Sequence, residues 1–175
     1  MRFEPTDIAG LFALRLQRIA DARGSFARLF CRDTFAAHGL ADTFVQASLS
    51  VTRHALTLRG LHFQRPPHAE VKLVRCVRGA IFDVVADLRR DSPSYLRWQG
   101  FELSPDSDAA LYIPEGCAHG FLTLVDDCEV LYQMSANYAA EAADGVRFDD
   151  PALGIAWPHA PALVAEKDLR WPAIA

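Results

Sequence analysis

Residues 70–88 read EVKLVRCVRGAIFDVVADL. Two apolar runs, 70–77 and 80–88, flank Arg78-Gly79. Aliphatic and β-branched residues dominate both runs and glycine interrupts them, so the stretch reads as two strands joined by a tight antiparallel hairpin. Outward from it the pattern repeats. TFVQASLSV (43–51) alternates well, and RWQGFELS (97–104), ALYI (110–113), GFLTLV (120–125) and EVLYQM (129–134) follow. Between them lie RRDSPS, SPDSD, PEG and DD, which are turn chemistry. Strands this short at this spacing indicate an all-β sandwich or barrel. Helix is expected only in brief pieces: RDTFAAHG (32–39), YAAEAADG (138–145) and around 161–169. LFALRL (11–16) reads as an extra strand at a sheet edge, and edge strands often pair across a dimer.

A chain of 175 residues with no repeat and no linker is expected to form one domain, 1–175. The prolines of DDPALGIAWPHAP (149–161) mark an irregular C-terminal wrap, not a hinge. A net charge of −4 weighs against nucleic acid as a partner. It leaves a small anionic ligand open, because local basic groups can converge in a cleft. Cys31, Cys76, Cys117 and Cys128 show no CxxC spacing and are read as free thiols in a reducing compartment. MRFEPTDIAG lacks the apolar stretch of a signal peptide, and no apolar run reaches the length of a membrane span. A cytoplasmic protein without a membrane partner is the expectation.

Several polar residues stand where core residues belong. Lys72 shares a strand face with Val74 and Cys76. In LRGLHF (58–63), Arg59 and His62 are three apart, so a straight strand sends them to opposite faces. Gly60 between them marks a bulge that would turn both inward. IPEGCAHGF (113–121) places Pro114 and Gly116 in a turn just before His119. Tyr132 by itself reads as a core tyrosine, and Asp168 as a surface acid. His62, His119 and a carboxylate form in principle a two-His-one-carboxylate metal set. However, LHFQ offers a single imidazole and no H-x-H, so no metal is expected.

Taken together, DARGSF (21–26), LRGLHFQRPPHAEVKLVRCVRGAIFDVVADLRRDSPSY (58–95), LYIPEGCAHGF (111–121), VLYQMSANY (130–138), FDDPALGIAWP (148–158) and EKD (166–168) resemble the dTDP-4-dehydrorhamnose 3,5-epimerase family. These are nucleotide-sugar epimerases. The resemblance implies a cupin-like jelly-roll β-barrel or sandwich with a few short helices, a homodimer in which region 1–40 takes part, and no cofactor. It implies a nucleoside-diphosphate-4-keto-6-deoxyhexose as substrate, with His62 as proton acceptor, Tyr132 as proton donor, Asp168 paired with His62, and Lys72 near the reacting carbonyl. Arg59 and His119 fall in the sugar and diphosphate site. Arg23, Phe26 and Gln46 match ligand-contact positions, and Tyr138 the tyrosine that stacks on the base. The chemistry suits these residue types. Protons on C3 and C5 are acidic because they flank the 4-ketone, and inversion needs a base on one face and an acid on the other. Histidine ordinarily titrates near neutrality, and a carboxylate on its second nitrogen fixes the tautomer. A metal-dependent cupin isomerase or dioxygenase, and a non-catalytic sugar-nucleotide binder, are the alternatives. The chain departs from the family's usual residues at Arg28 and Ala143, where glutamates are common, and at Ser48, where asparagine is. These departures imply a weaker preference for thymidine.

Overall fold

In the computed structural model, which describes residues 1–174, the strands are β1 (Arg2–Pro5), β2 (Phe12–Arg15), β3 (Arg18–Asp21), β4 (Gly24–Ala27), β5 (Gln46–Thr52), β6 (Thr57–Gln64), β7 (Lys72–Arg78), β8 (Ile81–Asp87), β9 (Trp98–Leu103), β10 (Ala109–Ile113), β11 (Cys117–Thr123), β12 (Cys128–Met134), β13 (Ala143–Gly145) and β14 (Leu163–Val164). The helices α1 (Arg32–Ala37) and α2 (Glu166–Leu169) are short. One sheet runs β1-β2-β10-β7-β12-β5. The other runs β13-β6-β11-β8-β9, with β14 added beside β6. The molecule is a jelly-roll β-sandwich of the cupin-like kind. None of the described helices is long and apolar enough to cross a membrane.

The stretch 70–88 does form two strands, but they are not a hairpin. β7 pairs with β10 and β12, whereas β8 pairs with β11 and β9 in the opposite sheet. Gly79, at φ +76°, turns the chain from one sheet to the other. A Cβ there would sit 2.6 Å from the Cys128 sulfur, so glycine is also the residue that fits. Such a crossing sets the inward faces of the two strands against each other across one core, which a hairpin within a single sheet would not do. Two other expectations fail. Residues 138–145 form a turn and β13, not a helix. β2 is an interior strand, flanked by β1 and β10, so the free edges of its sheet are β1 and β5.

Between the sheets lies a core built from Val74, Cys76, Ile81, Val85, Leu111, Ile113, Phe121 and Val130, with Ile8 and Leu11 closing one end. The outer face of the first sheet is covered by α1. Phe35 packs on Leu14, Leu73 and Tyr112 there, with Phe3, Phe30 and Phe44 around it. The irregular C-terminal wrap covers the outer face of the second sheet. It sets Leu153, Ile155 and Trp157 against Leu61, Val84 and Ala86. With both outer faces partly covered, the apolar interior gives way to polar side chains at one region, between β6, β7, β11 and β12.

Candidate active site

β6 carries the two residues that break the apolar pattern. Gly60, at φ +128°, lies so close to β11 that a Cβ on it would stand 2.5 Å from the Gly120 Cα. Beside this contact the β6–β11 register slips between His119 and Phe121. The irregularity lets Arg59 and His62 line one cavity despite their odd spacing.

Asp168 comes to His62 from the far end of the chain. β14 joins β6 in parallel, with Leu163 opposite Thr57, and α2 follows directly. The buried Asp168 carboxylate accepts a hydrogen bond from His62 Nε2 at 2.6 Å, and its other oxygen accepts from the Gly60 N–H at 3.2 Å. Burial pushes the Asp168 carboxyl up. The hydrogen bond and charge of His62, together with the Gly60 N–H, outweigh that and hold it below the usual carboxylate range. An anion therefore fixes the imidazole.

A second pair lies behind the first. His119 Nε2 is 2.8 Å from Asp83, and both are buried. Burial pushes Asp83 up against the opposing charges of His119 and Lys72. The Tyr132 ring stands edge-on to His119 at 5.8 Å. Burial also pushes the Tyr132 hydroxyl well above the ordinary phenol range, helped by the Asp83 charge and opposed by Arg59. Its phenol stays protonated. Lys72 donates to the His62 carbonyl oxygen at 3.0 Å and pairs with Glu70 at 2.9 Å. Arg59 is held by Thr52 at 2.9 Å and by the Val51 carbonyl at 3.3 Å.

These groups surround two adjoining cavities of about 520 and 460 Å3, which share His62, Lys72, Tyr132 and Lys167. The first adds Arg59, His119 and Ser50. The second adds Gln46, Tyr138, Ala143 and Trp171. Gln46 accepts from the Tyr138 N–H at 3.0 Å, and the Tyr138 side chain is exposed at the rim. Among the described residues, no group of three His, Cys, Asp or Glu side chains is placed to hold a metal ion. His62 and His119 are opposite one another in register, yet each turns its Nε2 to its own carboxylate.

A family model described as dTDP-4-dehydrorhamnose 3,5-epimerase matches residues 5–175. A dTDP-4-dehydrorhamnose 3,5-epimerase from Sinorhizobium fredii is 43% identical over 99% of this chain and 90% of its own length. The chain belongs to the dTDP-4-dehydrorhamnose 3,5-epimerase family. Two solved structures extend the likeness. A dTDP-6-deoxy-D-glucose-3,5-epimerase from Legionella pneumophila, in complex with dTDP-4-keto-L-rhamnose, superimposes with a TM-score of 0.92 at 31% identity, over 98% of this chain and 92% of the other. A 3'-monoepimerase from Streptomyces bikiniensis, in complex with dTDP-quinovose, gives 0.89 at 33% identity, over 97% and 86%.

Of the residues that membership of this epimerase family singles out, the structure brings together His62, Asp168, Tyr132, Lys72, Arg59, His119, Gln46 and Tyr138. It does not bring Arg23 or Phe26 to them within one chain. Both sit on the β3–β4 hairpin, a two-stranded sheet of its own. Arg23 pairs there with Asp21 at 2.6 Å, and Phe26 is 68% exposed. Arg28 is also away from the cavities, beside Cys31 and Thr34. Sequence reasoning missed Asp83, Glu70, Lys167 and Trp171. Asp83 had a signal, since it alternates with Ile81 and Val85 on an inward face, where an acid is costly without a partner. Trp171 had none, because only the course of the C-terminal wrap sets its ring 6.2 Å from His62.

Proposed function

We propose that this enzyme epimerises a nucleoside-diphosphate-4-keto-6-deoxyhexose at C3, C5 or both, removing and returning the protons beside the 4-ketone. One observation carries the reading: an Asp168-anchored His62 on one sheet and a protonated Tyr132 on the other line the same cavity. Asp168 occupies Nε2, so Nδ1 of His62 is the nitrogen left to take the substrate proton. Tyr132 returns a proton from the opposite wall. The carbanion is stabilised as an enolate at O4, and the Lys72 ammonium supplies the countercharge. Arg59 and His119 serve the diphosphate and sugar, while Gln46 and Tyr138 hold the base. Similar chains carry dTDP-linked ligands, which supports dTDP here, and they include both double and single epimerases.

The same proposal includes a homodimer. The β3–β4 hairpin exposes Ile19 and Phe26 at 72% and 68%, and β5 presents Leu49 and Val51 on a free edge. A second copy would cover these surfaces, and would let Arg23 and Phe26 of one subunit complete the cavity of the other. The four unpaired thiols support a reducing, cytoplasmic setting. Incubation with dTDP-4-keto-6-deoxyglucose in deuterated water tests the reaction. Deuterium is expected at C3, C5 or both, and unlabelled substrate after prolonged incubation would remove the epimerase reading.

A further inference from the structure

Glu70 stands just before β7, and the mechanism above gives it no part. Its side chain is 6% exposed, and that of Lys72 12%. One Glu70 oxygen lies 2.9 Å from the Lys72 ammonium. The other is buried with no hydrogen-bond partner among the described residues. Both residues line the second cavity. As a stabilising device this is poor, because a buried ion pair with half its carboxylate unsatisfied leaves a desolvation cost uncompensated. Its geometry suits another purpose. An ammonium carries three N–H donors. The His62 carbonyl oxygen takes one, and the Glu70 carboxylate holds the ammonium by its charge at ion-pair distance. The two contacts hold the ammonium at the cavity shared with His62 and Tyr132, with N–H donors left for a ligand there.

We infer that Glu70 is a positioning residue: it acts through Lys72, holding the ammonium so that its free N–H meets the enolate oxygen as negative charge develops. The inference rests on the epimerase reading and adds a residue to it. If it is right, the effect of Glu70 belongs to the transition state more than to substrate binding.

The test compares wild type, Glu70→Gln, Lys72→Met and the double variant in the deuterium-exchange assay. Removing an oxyanion donor outright costs roughly 10²–10³-fold in kcat, and Glu70→Gln, which only loosens one, is expected to cost on the order of tenfold. KM should be unchanged within about twofold. In the Lys72→Met background, Glu70→Gln should cost nothing further. The double variant should melt no lower than wild type, since neutral residues replace a buried pair. Wild-type kcat in Glu70→Gln, a full additional loss in the double variant, or a kcat loss that merely tracks a lower Tm would overturn the inference. If wild type exchanges no proton, the reaction itself is misassigned, and the hold on Lys72 is then read separately. Acetic anhydride labelling of Lys72, followed by mass spectrometry, should rise in Glu70→Gln, and equal labelling would overturn the inference.

Discussion

On the proposed mechanism the two ring nitrogens of His62 have separate duties, Nε2 toward Asp168 and Nδ1 toward the substrate proton. His62→Ala removes the base, so exchange of the α-protons should fall by about 10²–10⁴-fold while dTDP binding, followed by calorimetry, stays largely intact. Asp168→Asn keeps the shape and loses the charge that fixes the tautomer, so it should lower kcat with little change in KM. Tyr132→Phe removes the proposed donor on the other sheet. Deuterium should then still enter the substrate, but with retention of configuration, as the coupling constants of the recovered sugar would show; undiminished inversion would assign the donor elsewhere. The three departures from common family residues belong at this scale too. Ala143 lines the second cavity, Ser48 is paired with Tyr132, and Arg28 lines a separate cavity with Met1, Cys31 and Thr34. Losing placed acceptors reduces base discrimination, whereas stacking on Tyr138 accepts any base. Calorimetry with dTDP, UDP, CDP and GDP under one salt condition is expected to show a dTDP preference below a hundredfold, roughly 2.7 kcal/mol.

Among the elements, β6 and β11 set the precision of the site. A Cβ on Gly120 would lie 2.7 Å from the Arg59 carbonyl and 3.0 Å from the Gly60 Cα. Gly120→Ala therefore forces apart the two strands that carry Arg59, His62 and His119. Overpacking of this kind costs about 1–3 kcal/mol, so both Tm and exchange rate should drop. The loop after β8 depends on Asp87, which accepts hydrogen bonds from Arg89, Ser92 and Ser94. Burial pushes its carboxyl up, but these bonds more than offset that and hold it down at about 2, against 3.8 when unperturbed. A depressed carboxyl contributes stability that is present above the unfolded value and lost as pH falls toward the folded one. That contribution, on the order of 2 kcal/mol, should fade between about pH 4 and pH 2. Asp87→Asn should lower Tm at neutral pH and flatten this part of the acid-denaturation profile. The elements also show what local pattern conceals. Alternation located β7 and β8 well, but not their partners, because a strand's own sequence records which face is buried and not which strand lies beside it. At 138–145, alanines and glutamate favour a helix, yet residues 143–145 pair with His62, Phe63 and Gln64, and tertiary pairing overrides propensity.

For the molecule as a whole, the question is whether one chain holds a complete site. If the hairpin serves a neighbouring subunit, light scattering at micromolar concentration should give a dimer. Two inactive variants, Arg23→Ala/Phe26→Ala and His62→Ala, should then regain activity when mixed and allowed to exchange subunits. Random reassortment would restore about a quarter of the sites, since half the dimers are mixed and each carries one intact site. No recovery would place the hairpin outside the site. The fold class and the combination of R-G-L-H with P-x-G-x-A-H-G-F were legible in the residues themselves, because burial patterns, turn chemistry and short motifs are local. What required the third dimension was contact between distant segments. It sent β7 and β8 to opposite sheets, made β2 an interior strand, set Glu70 against Lys72 and Asp83 against His119, and carried Asp168 across 106 positions of sequence to His62. A carboxylate's meaning depends on what it faces once water is excluded, and only the packed sandwich decides that.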